Sequence, residues 1–100
     1  MFAYLKGAFT LKTPTVVHID VHGVGYEVQV SLNTYSKIQN LQEGTLFTHL
    51  LVREDAHILY GFYERSEKEV FLHLLSVSGV GASTARIMLS SLQSEEVVRA

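Results

Sequence analysis

Apolar and polar residues alternate with a period of two through the first third of the chain. From Thr15 to Val21, Val17, Ile19 and Val21 fall on one face and Val16, His18 and Asp20 on the other. From Tyr26 to Ser31 the pattern repeats, with Tyr26, Val28 and Val30 set against Glu27, Gln29 and Ser31. This is the signature of strands with one buried face. Phe2 to Leu11 is rich in aromatic and aliphatic residues, and Gly7 inside it predicts a bulge or bend. Lys12-Thr13-Pro14 and His22 to Gly25 supply the turns between these runs. Thr45 to Val52 is almost continuously apolar and His57 to Phe62 is strand-like, with polar Arg53, Glu54 and Asp55 between them. Those two runs predict a hairpin carrying Glu54 and Asp55 at its tip. Five short strands at this spacing predict a small antiparallel barrel.

Elsewhere the period lengthens. Leu32, Tyr35, Ile38 and Leu41 recur every three residues, predicting a short helix with Asn33 as its cap and Gln42-Glu43-Gly44 as its end. From Tyr63 the chain reads as helical throughout. Ser66 and Glu69 form a capping-box pattern, and Val70, Phe71, Leu74, Leu75 and Val77 follow at helical spacing. Gly79-Val80-Gly81 interrupts that run; beyond it Ser83 occupies an N-cap position and Ala85, Met88, Leu89 and Leu92 resume the helical repeat. Gln93-Ser94-Glu95-Glu96 opens a third helix, which meets no stop signal before Ala100 and is expected to continue past it. The predicted division is a barrel domain over 1–63 and an all-α domain over 64–100.

Composition narrows the functional classes. The formal net charge is −2, so no overall basic field advertises nucleic acid, and any such contact must be local. The chain has no cysteine, which excludes disulfides and thiolate metal sites and suits a reducing compartment. The five histidines lack metal-ligand spacing, and no serine sits in a G-x-S-x-G elbow. No secretory signal and no run of membrane-spanning length is visible. A chain of this size buries only about two-thirds of its unfolded surface, so self-association would add stability.

Two stretches can carry chemistry. Gly79-Val80-Gly81 matches half of a dinucleotide fingerprint, but that reading requires a preceding strand and a third small residue, whereas a helix precedes and Thr84 stands at the sixth position. Two other readings remain open. One is a simple joint between packed helices; the other is a helix-hairpin-helix whose turn amides hold a DNA phosphate without reading sequence. Glu54 and Asp55 are neighbours on a strand-like tip and point apart, which argues against general acid–base work and leaves either a solvated turn or negative charge presented to a partner. Arg53 beside them could meet a phosphate or pair with the acids. Phe2, Tyr4, Phe9, Tyr26 and Phe47 alternate with apolar residues rather than lysines, the pattern of core and interface rather than of base stacking.

The whole chain resembles the RuvA family of bacterial Holliday-junction-binding proteins. The resemblance is carried by His22 to Val28, Phe47-Thr48-His49, Val52 to Ala56, Leu59 to Phe62 and Gly79 to Gly81, in order and at family-like spacing. It implies a five-stranded OB-like β-barrel followed by a small helix-hairpin-helix domain. It also implies assembly into a homotetramer, single or paired, on four-way junction DNA. Glu54 and Asp55 would be the acidic pin that repels phosphates at the crossover. Gly79, Val80 and Gly81 would form the first DNA-gripping hairpin, with Ser78 and Ser83 at its edges. Arg53 and Arg86 complete the implied DNA contacts; Ala82 and Ser83 follow the hairpin, so Arg86 is the nearest cation. The family carries a second helix-hairpin-helix and a C-terminal domain that engages a RuvB-type ATPase, neither of which lies within these hundred residues. A RuvC-type resolvase is a further implied partner. The resemblance implies a cytoplasmic, non-catalytic subunit without cofactor or metal. A small protein-interaction module that never touches DNA is the alternative, supported by the net charge of −2.

Overall fold

In the computed structural model, which describes residues 2–52, 54–77 and 81–91, five strands close into a barrel and two helices pack against one side of it. The elements are β1 (Tyr4–Lys12), β2 (Val16–Val21), β3 (Val24–Val30), α1 (Leu32–Ile38), β4 (Glu43–Val52), β5 (His57–Phe62), α2 (Arg65–Leu75) and α3 (Ala82–Ser91). Around the ring the order is β1-β2-β3-β5-β4, with β4 pairing back onto β1.

Four of these pairings are antiparallel, but β3 and β5 run parallel, through Val28↔Leu59 to Val30↔Gly61. The expectation of a wholly antiparallel barrel is therefore corrected. The reason is geometric: strand direction must return to itself around a closed ring, and five successive reversals cannot do that. An odd-stranded closed barrel needs at least one parallel pair. The crossover through α1 supplies it, because β4 enters beside β1 and its hairpin partner β5 then lies along β3.

The alternation in β2 and β3 sorts as read. Val17, Ile19, Val28 and Val30 are buried together with Leu5, Leu46 and Ile38 of α1. Gly7 does not form the bulge; the register slips between Phe9 and Leu11, at Thr10. Gly7 instead permits a close approach, since a Cβ there would lie 2.0 Å from the Asp20 carbonyl oxygen. The β2–β3 turn is tighter than predicted. It consists of His22 and Gly23 alone, both at positive φ (52° and 89°), and Val21 pairs directly with Val24. Two left-handed residues in succession match the right-handed twist of a hairpin, and the Asp20 carboxylate accepts from the Gly23 amide at 2.8 Å.

Helix caps differ from expectation at three places. Ser31, not Asn33, caps α1, its hydroxyl accepting from the Thr34 amide at 3.1 Å. At α2 the cap is Glu64 rather than Ser66, and the Glu64 carboxylate pairs with Lys37 instead of bonding the helix amides. The Tyr63 amide, just ahead, donates to Thr34 Oγ1 at 3.1 Å, so contacts with α1 fix where α2 begins. At α3 the helix starts at Ala82, and the Gly81 carbonyl accepts from the Ala85 amide at 2.9 Å, which leaves Ser83 inside the first turn.

A second apolar cluster joins the helices to the barrel. Tyr60 and Phe62 of β5 pack with Val70 and Phe71 of α2 and with Ala82, Ala85 and Leu89 of α3. Phe71 is its centre, with ring centroids 4.9 Å from Phe62, 5.2 Å from Tyr60 and 6.0 Å from His49. Burial of one such side chain contributes about 1.5–3 kcal/mol before aromatic terms are added. Met88 and Ile87, at positions read as helical repeat or flanking it, face outward instead.

Candidate nucleic-acid interface

The hairpin of β4 and β5 extends beyond the ring. β4 pairs with β1 only from Glu43 to Phe47, and β5 pairs with β3 only from Leu59 onward. Leu50 to Val52 and His57 to Ile58 therefore ladder mainly with each other, as a two-stranded arm. An isolated arm of this kind is marginal in water. It is steadied from below, because Leu51 and Ile58 pack against the cluster beneath α2 and α3. Glu54 and Asp55 are both exposed in the bend at its end, and among the described residues neither has a hydrogen-bond or ion-pair partner. The arrangement presents charge without any pocket that could divide the roles of the two carboxylates. Arg53 lies outside the described residues.

The turn between α2 and α3 is partly outside them as well. Ser78, Gly79 and Val80 lie outside the described residues, but both flanks lie within them. On one side the Ser76 amide and hydroxyl bond the His73 carbonyl at 3.1 and 2.5 Å, and the Val77 amide bonds the Leu74 carbonyl at 3.1 Å. On the other, Gly81 is exposed with open space around the position of its missing side chain, and Ser83 is exposed in the first turn of α3. Gly81 and Ser83 thus lie at the surface at the helix start, while Ala82 between them is buried in the apolar cluster.

Arg86 is placed differently from the other sequence-derived candidates. Its guanidinium turns toward the barrel, with Nη1 3.3 Å from the Thr15 carbonyl, 3.4 Å from Gln29 Oε1 and 3.5 Å from the Val30 carbonyl. Other cations are also engaged internally. Lys12 donates to the Gln39 and Leu41 carbonyls beyond the end of α1 at 2.9 and 2.5 Å, where the helix dipole favours a positive charge. Lys37 pairs with Glu64, and Arg65 lies 5.2 Å over the Phe47 ring. Four of the eight lysines and arginines are thereby committed within the fold. A broad basic surface is not how this chain would hold an anion.

Sequence reasoning missed Glu67. Its carboxylate is buried and accepts from Ser31 Oγ at 2.6 Å and Thr34 Oγ1 at 2.7 Å, so α2 is bolted to the start of α1. A charged acceptor with two hydroxyl donors, placed beside a helix N-terminus, meets the conditions under which a buried carboxylate is tolerated. Nothing in a one-dimensional pattern pairs position 67 with position 31. Ser31 itself was findable, as a serine immediately before the first residue of a helical repeat.

Among the described residues, no group of three or more His, Cys, Asp or Glu side chains could hold a metal ion. No described helix is long and apolar enough to cross a membrane.

Comparison with known proteins places this geometry in context. The family described as RuvA N terminal domain matches residues 1–61. Its span covers the barrel up to Gly61 of β5, the acidic arm included. A protein of Christiangramia forsetii named Holliday junction branch migration complex subunit RuvA is 53% identical over 100 residues, all of this chain and 52% of the relative. The protein of the same name from Flavobacterium psychrophilum is 50% identical over 100 residues, again 52% of its length. That of Porphyromonas gingivalis is 50% identical over 97 residues, 97% of this chain and 48% of the relative. The chain spans about half the length of the curated relatives it matches.

Proposed function

Because the chain belongs to the RuvA N-terminal domain family, we propose that it forms the junction-recognising half of a non-catalytic DNA-binding subunit in a branch-migration complex. The observation that carries the reading is the pair of exposed carboxylates, Glu54 and Asp55, without a partner among the described residues, at the end of an arm that shares one packed cluster with the two helices. Negative charge held out on a supported arm is useful where phosphates must be kept apart. Two charges about 4 Å apart in water interact by only about 1 kcal/mol, so the tip would guide strands rather than decide affinity.

Grip would come from the segment 78–83, a helix-hairpin-helix turn in which Gly79, Val80 and Gly81 lend backbone amides to a phosphate and Ser78 and Ser83 flank them, with Arg53 touching the backbone near the pin. One such turn is weak, since non-specific binding of small domains lies at about 10⁻⁴ to 10⁻⁶ M. Four copies around a four-fold axis would meet four DNA arms, and linking weak contacts raises avidity by about 10² to 10⁴. The exposed apolar side chains, such as Tyr4, Val24 and Val52, give self-association something to cover. A RuvB-type ATPase, and a RuvC-type resolvase after it, would be engaged by parts of the protein outside these residues. The setting is the bacterial cytoplasm.

Mobility-shift titration of the full-length protein against a four-way junction and a linear duplex of equal length tests this. Tighter binding to the junction is expected, and replacing the tip by Glu54→Gln with Asp55→Asn should keep or strengthen it. Equal affinity for the two DNAs, or an affinity indifferent to salt, would instead favour a protein-interaction module.

A further inference from the structure

We propose that Arg86 is a positioning residue that sets the angle of α3 on the barrel, and that it does not bind a DNA phosphate. The inference rests on the functional reading above and specifies which residue makes junction geometry selective.

Arg86 is half-buried, and its Nη1 is shared among three oxygens at 3.3–3.5 Å, all belonging to the barrel. Two of those oxygens belong to the place where β2 begins and β3 ends. There the Thr15 carbonyl already accepts the Val30 amide at 2.9 Å, and the Val30 carbonyl lies at the last residue of its strand. The guanidinium therefore spans the paired ends of two strands, where carbonyls have spare capacity. Its Nε is shielded from solvent without a partner among the described residues. Desolvating that donor is unfavourable, a cost that a cation reaching into solvent for phosphate would not incur.

Three further contacts lie along the same seam. The Leu32 amide donates to Ser90 Oγ at 3.0 Å, Asn33 Nδ2 donates to the Leu89 carbonyl, and Ser90 Oγ donates to the Arg86 carbonyl at 3.1 Å. Each joins α3 to the start of α1 or to its own preceding turn. On the opposite helix Glu67 fastens α2 to Ser31 and Thr34. With ten residues α3 is about 15 Å long, so a tilt of about 10° moves the turn at its start by about 2–3 Å. A shift of that size is comparable with the reach of a hydrogen bond. It would move the turns of all four copies off the positions of four DNA arms at once, which weakens hold on a four-way junction more than on a duplex that meets fewer of them.

Two measurements on the full-length protein test the proposal. The first compares the parent with Arg86→Met, which keeps the packed stem and removes the donors, and with Arg86→Lys, which returns donors to the carbonyls. Arg86→Met should lose about tenfold in junction affinity, keep its duplex affinity and keep the slope of affinity against salt; Arg86→Lys should recover junction preference. Parallel loss on both DNAs with a shallower salt slope identifies a phosphate contact and overturns the proposal. The second needs no variant and so survives misfolding of Arg86→Met. The Arg86 Nε–H resonance of the parent should be slow to exchange and unmoved by added duplex; a shift on titration overturns the proposal. Equal junction and duplex affinity in the parent would overturn the functional reading and this inference with it, whereas a parent that discriminates and a variant that weakens on both DNAs overturns only the inference.

Discussion

The barrel and the helical pair are held by different physics. The barrel closes on itself, so each of its five strands has a hydrogen-bonded neighbour on both sides, and its register is locked by backbone ladders. Among the described residues the helices reach the barrel strands through side chains, in one apolar cluster around Phe71 and at Arg65 and Arg86, and are tied to the start of α1 through Glu67, Asn33 and Ser90. The acidic arm belongs to the first system in its backbone and to the second in its packing, since Leu51 and Ile58 sit under the helices. A contact made of side chains can be weakened one group at a time; a closed ladder gives way cooperatively. This division yields distinct expectations for the two regions.

The largest effect is expected from Phe71→Ala. The ring is fully buried among Phe62, Tyr60 and His49, and truncation of such a group costs about 3–5 kcal/mol. Hydrogen exchange should show α2 and α3 losing protection while β1, β2 and β3 retain theirs. Loss of protection everywhere at once would mean that barrel and helices form a single cooperative unit and that the contrast is wrong.

Gly7→Ala probes the other side. The added Cβ would meet the Asp20 carbonyl at 2.0 Å, and a backbone atom cannot swing away as a side chain can. Overpacking of this kind costs about 1–3 kcal/mol, and here it should spread through the ladder. Denaturant unfolding should show a lower midpoint, with protection falling in β1, β2 and β4 together. A change confined to the β1–β2 pair would show that the ring is less cooperative than its closure suggests.

Much of the barrel was legible because its determinants are local. Alternation in β2 and β3 identifies the buried face residue by residue, and the polar break at 53–56 between two apolar runs places the acidic tip. Even the parallel pair was in principle deducible, since five strands in a closed ring require one. What escaped were choices made by contacts distant in sequence. Ser31 and Glu64 cap their helices in place of Asn33 and Ser66 because Glu67, Lys37 and Thr34 hold those positions from other elements. Gly7 reads as a bulge until Asp20 is seen against it. The candidate site divides the same way: the exposed tip was readable from residues 52–57 alone, whereas the inward turn of Arg86 depends on carbonyls at Thr15 and Val30 that carry no sequence signal at all.

The smallest expected effect uses pH to loosen only the boundary between the two regions. His49 lies on barrel strand β4 but faces α2, with its ring 6.0 Å from Phe71. Burial against that surface, and secondarily the positive charge of Lys68, hold its pKa below the ordinary 6.5. The unfolded chain therefore takes up the His49 proton before the folded chain does as pH falls. Its contribution to stability is complete above about 6.5 and is lost as pH falls through the lower, folded-state value. Because protonation places a cation beside Phe71 and Lys68, the loss should appear first as reduced protection of α2, with the strand ladders unaffected. Denaturant midpoints at about pH 7.5 and about pH 5.5, with exchange measured alongside, should show the parent losing more stability on acidification than His49→Gln, which has no proton to gain. An identical pH response in the two proteins would remove His49 from the boundary. A response concentrated in β1 to β3 would place the weak point inside the ladder, reversing the ranking of the two regions.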